Sequence, residues 1–372
     1  MAAASFGSAN APGRILGWDL LRGCCAYAII SYHLMAWQKV ADIHTIGFYG
    51  VYLFFVLSGA SLVLNYHEQF RTGFSLPVWL RFLFVRYMRL LPLFAVLVAI
   101  SLLWKIKTGG ATPALLIKAL LNLSFTFGLF DPALSSMVVG GWSLGIEFVF
   151  YLMFPLFVWL LGSSATNWRR WSVFAALIAL QFYWIATTIA LDALSLKSLS
   201  AYHQVPAFSA YFFGGCIIGW FYLKKRPTTV ITGWLCTAGI LLGGGLMVGL
   251  NNVDDPASVL TGWRGAALTT LCFALVWWAG LANFSPRFSA WPTFMGDVTY
   301  GVYLIHPVLY FGLAFAVAPK LGWLDVAAGP SPTALALGTA IVLMTSLLAY
   351  ISEKYFEQPI RRWSVRRHRA AR

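Results

Sequence analysis

Hydrophobic and polar positions along this chain alternate in long blocks. Apolar runs of about twenty residues recur, and a helix of that length crosses the hydrocarbon core of a bilayer. Ten runs are read as spans: 17–38, 46–66, 82–104, 141–161, 171–191, 204–223, 229–249, 262–282, 297–318 and 333–354. An eleventh apolar stretch, 113–130, is bracketed by Thr112-Pro113 and Asp131-Pro132; it is either a span or a segment lying at one interface. The pattern predicts an all-α, polytopic membrane helix bundle.

Charge orients it. With ten spans and both termini cytoplasmic, the inner segments hold 19 of the 26 Lys and Arg and the outer segments hold seven. Cytoplasmic loops are the cation-rich ones, so the bias favours this arrangement and makes 113–130 a non-spanning or re-entrant segment on the outer side. Composition agrees. Of 372 residues 60% are hydrophobic and only 10% charged, with a mean hydropathy of +0.75, against about 25% charged in soluble domains. The net charge of +14 follows from loop topology and gives no reason to expect nucleic acid as a partner. Five cysteines (Cys24, Cys25, Cys216, Cys236 and Cys272) lie in apolar stretches without metal-ligand spacing, so no metal is expected.

Ionisable groups inside spans are costly and mark sites of work. The first span carries Asp19, Arg22 and His33. Arg22 and His33 are eleven residues apart, so they lie about 20° apart on one helix face and about 16 Å apart along its axis. Asp19, three residues before Arg22, is within pairing reach. Phe54-Phe55-Val56-Leu57-Ser58-Gly59 carries a small pair that permits close helix approach. Arg86 and Arg89 share a face and suit phosphate by guanidinium fork geometry, or anchor the inner boundary. In Trp142-Ser143-Leu144-Gly145-Ile146-Glu147, Ser143 and Glu147 share a face. Glu147, about two turns from the outer end of its span, needs a cation partner or a proton; His33, at similar depth, is the expected partner. Tyr303 and His306 add a second intramembrane histidine, and Glu357 with Arg361 follows the last span.

Together these motifs resemble the acyltransferase-3 family of integral membrane acyltransferases, from Asp19 to Arg362. Arg–ten residues–His, Phe-Phe-x-x-Ser-Gly, Arg-x-x-Arg-Leu-x-Pro, Trp-Ser-Leu-x-x-Glu, Tyr-x-x-Tyr-Leu-x-His-Pro and Glu-x-Pro-x-Arg occur in the family's order. Ala60 stands where an aromatic is usual. The resemblance implies O-acylation, usually acetyl transfer from acetyl-CoA to a hydroxyl of a glycan or glycolipid, in the bacterial inner membrane among membrane lipids. It divides the chain into a disordered tail 1–15, an acyltransferase domain 16–362 and a basic tail 363–372. No appended extracytoplasmic domain is read, so the chain completes transfer itself or passes the acyl group to a separate partner protein.

On that reading Arg22, Arg86 and Arg89 bind the donor, and His33 is general base or covalent acyl carrier. Glu147 orients His33, and Ser143 or Tyr303 serves the developing oxyanion. Asp19, Trp142 and His306 complete the substrate-binding set. A polar tunnel is expected from the cytoplasmic arginines to a shared His33–Glu147 site, with 113–130 at its outer mouth. The rival is a proton-coupled transporter using Arg22, His33 and Glu147 as a relay; it lacks an inverted repeat and has no need of paired arginines.

Overall fold

The computed structural model describes residues 14–162, 167–190, 202–224, 229–314 and 329–369. Residues 1–13 of the expected tail 1–15, residue 191 of the expected span 171–191, residues 315–318 of the expected span 297–318, the loop cations Lys197, Lys225, Arg226 and Lys320, and residues 370–372 lie outside them. Each of the ten expected spans coincides with an α-helix: α1 Leu16–Trp37, α2 His44–Phe70, α3 Leu76–Gly109, α6 Trp142–Leu161, α7 Asn167–Ala190, α8 Val205–Lys224, α9 Gly233–Gly249, α10 Gly262–Gly280, α11 Ala290–Gly312 and α12 Pro332–Ser352. Six of them (α2, α3, α6, α7, α8 and α12) are long and apolar enough to cross a bilayer. The other four are shorter or more polar. A two-residue parallel pairing, β1 Ile231–Thr232 with β2 Ala282–Asn283, is the extended structure among the described residues.

The stretch 113–130 is not one long helix. It forms α4 Pro113–Leu123 and a 3-10 turn Thr126–Leu129, and α5 Pro132–Ser135 follows. Eleven residues reach about 16 Å, half the thickness of the hydrocarbon core. Thr112 caps α4 by accepting from the Leu115 amide. Phe125 and Phe127 are fully buried and stack on Phe94 of α3, while Leu116, Ile117 and Leu120 are exposed. The segment therefore packs against α3 and α6 with an apolar outer face.

The core centres on α2 and α8. Helix α8 is buried around its whole circumference from Ala207 to Gly219, as expected of a helix apolar on all sides. It meets α2 closely because both helices use glycine at the contact. A Cβ on Gly59 would strike the Phe212 carbonyl, and one on Gly215 would strike that of Val56. Gly59 is the small residue read from the sequence as a packing position. Tyr52 stacks on Tyr211 with centroids 3.8 Å apart.

After α12 the chain makes a π-helical turn, Glu353–Glu357, and continues as α13, Gln358–Arg369. The basic tail beginning at 363 thus starts inside a helix. Arg14, assigned from sequence to the disordered tail, is anchored by Asp19 at 2.5 Å and Asp297 at 2.9 Å.

Candidate active site

A cavity of about 410 Å³ opens among α1, α2, α3, α6, α11 and the turn after α12. Along α2 it extends from Val51 to Asn65, about 21 Å of helix. The first turns of α1 and the π-helical turn frame one end. Ser143 and Tyr303 lie at the other.

The mouth is built of matched charges. Asp19 accepts from Arg14 at 2.5 Å and from Arg22 at 3.0 Å. Arg14 also reaches Asp297 at 2.9 Å and the Thr293 carbonyl at 3.1 Å. Arg22 spends the rest of its fork on the Leu57 carbonyl, 3.1 Å away, and on Ser61. The Asp19–Arg22 pair forms as the i, i+3 spacing predicts. Arg22 is thereby committed to joining α1 to α2, which leaves it less free to hold a donor than expected. Arg361 forms a bidentate pair with Glu353, and Glu357 accepts from Ser352 at 2.7 Å.

Arg86 and Arg89 differ from these. Arg86 is 6% exposed, and its guanidinium lies 4.7 Å from the Tyr66 ring centroid and 5.5 Å from that of Tyr151. Its Nε has no hydrogen-bond partner among the described residues. Aromatic faces stabilise a guanidinium but leave its N–H groups available. Both arginines line the cavity, and neither is ion-paired among the described residues. Glu147 and Glu357 line the same cavity, so the two arginines sit in a lining of mixed charge without a direct ion pair among the described residues.

Glu147 lines the same cavity, and its environment corrects the sequence reading. Its Oε1 accepts from Ser58 at 2.5 Å and from Tyr151 at 2.6 Å. It does not pair with His33. Glu147 is bonded to Ser58 of α2, between the Leu57 and Ser61 contacts of Arg22, whereas His33, eleven residues further along α1 than Arg22, faces α11. Trp142 is also turned away from the cavity, into an aromatic cluster with His203 and Phe208. The segment 113–130 does not line the cavity.

His33 pairs with His306. His33 Nδ1 lies 2.9 Å from His306 Nε2, and His306 Nδ1 lies 2.9 Å from the Val302 carbonyl oxygen. A carbonyl oxygen only accepts, so His306 Nδ1 carries the proton. In a neutral pair the remaining assignments follow. His306 Nε2 accepts, His33 Nδ1 donates, and His33 Nε2 keeps its lone pair. Trp37 stacks on the His33 ring at 4.8 Å and 4° and fixes its plane. The two histidines do not line the cavity. Tyr303, one turn before His306 and 6.5 Å from it between ring centroids, stands at the cavity's end beside them.

Sequence reasoning missed Arg14, Asp297, Glu353, Ser58 and Tyr151 as parts of this site. Asp297 carried a signal, a lone carboxylate at the start of an apolar span. Arg14 carried another, a cation directly before a span that opens with Asp19.

A family model described as an acyltransferase domain matches residues 15–351. The chain belongs to the acyltransferase-3 family. The exopolysaccharide production protein ExoZ of Rhizobium meliloti (strain 1021) is 27% identical over 346 residues, covering 90% of this chain and 95% of that protein. No solved structure matches the chain. As an acyltransferase-3 protein with several membrane-length helices, the chain is a multi-pass membrane acyltransferase.

Proposed function

We propose that this acyltransferase-3 protein moves an acetyl group from acetyl-CoA to a hydroxyl of a glycan or glycolipid, in a bacterial inner membrane with both termini cytoplasmic. The observation that carries this is the cavity's layout. Two arginines without a direct ion pair among the described residues lie partway along it, and an oriented imidazole base stands next to Tyr303 at its far end. The diphosphate and 3′-phosphate of a CoA thioester bind the N–H forks of Arg86 and Arg89. The pantetheine arm is thin and long enough to follow the cavity toward Tyr303. The name of the ExoZ relative supports a polysaccharide acceptor.

His33 is the general base. Its free Nε2 takes the proton of the acceptor hydroxyl as oxygen attacks the thioester carbonyl carbon. His306, backed by the Val302 carbonyl, holds the tautomer and takes the orienting role that sequence alone gave to Glu147. Asp19 and Arg22 hold the mouth in shape. The proton returns from His33 to the departing thiolate, so no metal or redox partner is needed for balance.

The test uses inside-out membrane vesicles of the native host fed radiolabelled acetyl-CoA, with label counted in the polysaccharide fraction. Purified protein is assayed in parallel for CoA thiol release. Label incorporation matched by thiol release is expected. Acetyl-CoA left intact, with proton flux across the vesicle membrane, would establish the transporter in its place.

A further inference from the structure

At the closed end of the cavity two hydroxyls converge on one oxygen. Ser143 Oγ donates to the Gly140 carbonyl at 3.1 Å, and Tyr303 Oη donates to it at 2.9 Å. The two hydroxyl oxygens are 3.0 Å apart. The Ser143 amide adds a long contact to the same carbonyl at 3.4 Å. Ser143 and Tyr303 both line the cavity and are each 7% exposed. The carbonyl oxygen has two lone pairs and accepts both hydroxyls. Two hydroxyl donors at this range are what the oxygen of a tetrahedral intermediate requires.

Gly140 supplies that carbonyl from an unusual backbone. Its φ is +78°, the left-handed region that a residue with a Cβ enters at a cost. The first turn of α6 is irregular beside it, with the Leu144 amide bonding Gly141. The Gly140 carbonyl therefore takes its close hydrogen bonds from side chains.

We propose that the Ser143 and Tyr303 hydroxyls together form the oxyanion site of the acyl transfer, and that the Gly140 carbonyl occupies it until the thioester carbonyl takes its place. This rests on the acyl-transfer reading above. As the acceptor oxygen bonds to the thioester carbon, the carbonyl electron pair moves onto oxygen, and the two hydroxyls donate to that anion. Collapse re-forms the carbonyl and breaks the carbon–sulfur bond, giving an ester and a free thiol. Tyr303 and His306 are one turn apart on α11, with ring centroids 6.5 Å apart, so the oxyanion donors stand beside the base pair. Holding the donors on a backbone carbonyl keeps them aligned while the site is empty, and such preorganisation is where the rate advantage of an oxyanion site originates.

The experiment compares Tyr303→Phe, Ser143→Ala and Ser143→Thr with wild type in the vesicle assay, and measures acetyl-CoA binding directly on purified protein. Tyr303→Phe and Ser143→Ala should each lower kcat by about 100- to 1000-fold, with KM and binding of acetyl-CoA within about twofold. Ser143→Thr, which keeps the hydroxyl, should retain at least a tenth of wild-type kcat. Tyr303→Phe and Ser143→Ala both within threefold of wild type would overturn the proposal. So would a loss in which binding weakens in step with rate, since that marks a structural role. His33→Ala separates the two readings. Loss in His33→Ala with full activity in the hydroxyl variants sinks the oxyanion site alone. Full activity in His33→Ala with loss in the hydroxyl variants sinks the base and leaves the oxyanion site standing.

Discussion

His33 and His306 share a hydrogen bond of 2.9 Å across two helices that are 273 residues apart in sequence. The bond fixes which nitrogen of His33 is free, and it does so through a backbone carbonyl, with no carboxylate involved. His33→Ala should abolish transfer. His306→Ala should lower kcat by about 10²–10⁴-fold, the range of general acid–base assistance. The double variant should be no slower than His33→Ala, because the two act as one unit. Independent, multiplying losses measured in the vesicle assay would separate their roles.

Replacing Arg86 and Arg89 together with Gln should raise KM for acetyl-CoA at least tenfold. Binding to a short thioester that lacks the nucleotide phosphates should change far less. Equal losses with both donors would assign the pair to folding or topology. Lys is a poor control, since it loses the fork.

Glu147→Gln keeps the size of the side chain but removes a carboxylate that accepts from Ser58 and Tyr151. Hydrogen bonds to a charged group contribute about 1.5–3 kcal/mol. The expected result is a lower melting temperature in detergent, with the pH profile of transfer unchanged. A pH profile displaced by a unit or more would return Glu147 to the proton path.

Asp19→Ala removes the partner of both Arg14 and Arg22. Breaking a buried ion network from one side costs about 3–5 kcal/mol. The variant should be strongly destabilised, whereas Arg89→Gln, with no ion pair to lose, should melt within about 2 °C of wild type. Similar melting of the two would contradict the division between paired and unpaired arginines.

Periodicity and charge made the helices legible. All ten expected spans fall on helices, because twenty apolar residues leave the backbone little choice in a medium without water. The i, i+3 pairing of Asp19 with Arg22 was legible too. The relative level and facing of His33 and Glu147 were not. Glu147 bonds Ser58, near the level of Arg22, whereas His33 lies further along α1, and nothing local says which neighbour each faces. That is decided by packing, with α1 against α11 and α6 against α2. The same limit hid Asp297, whose partner Arg14 arrives from a distant segment.

On the proposed reading, Arg86 and Arg89 would grip the part of the donor that the reaction leaves unchanged. Interactions of that kind hold reactant and product alike. Spent CoA should therefore leave slowly and compete with fresh acetyl-CoA at similar concentration. The rate of surface acetylation would then follow the ratio of the two in the cytoplasm, tying cell-envelope chemistry to the carbon supply of the cell.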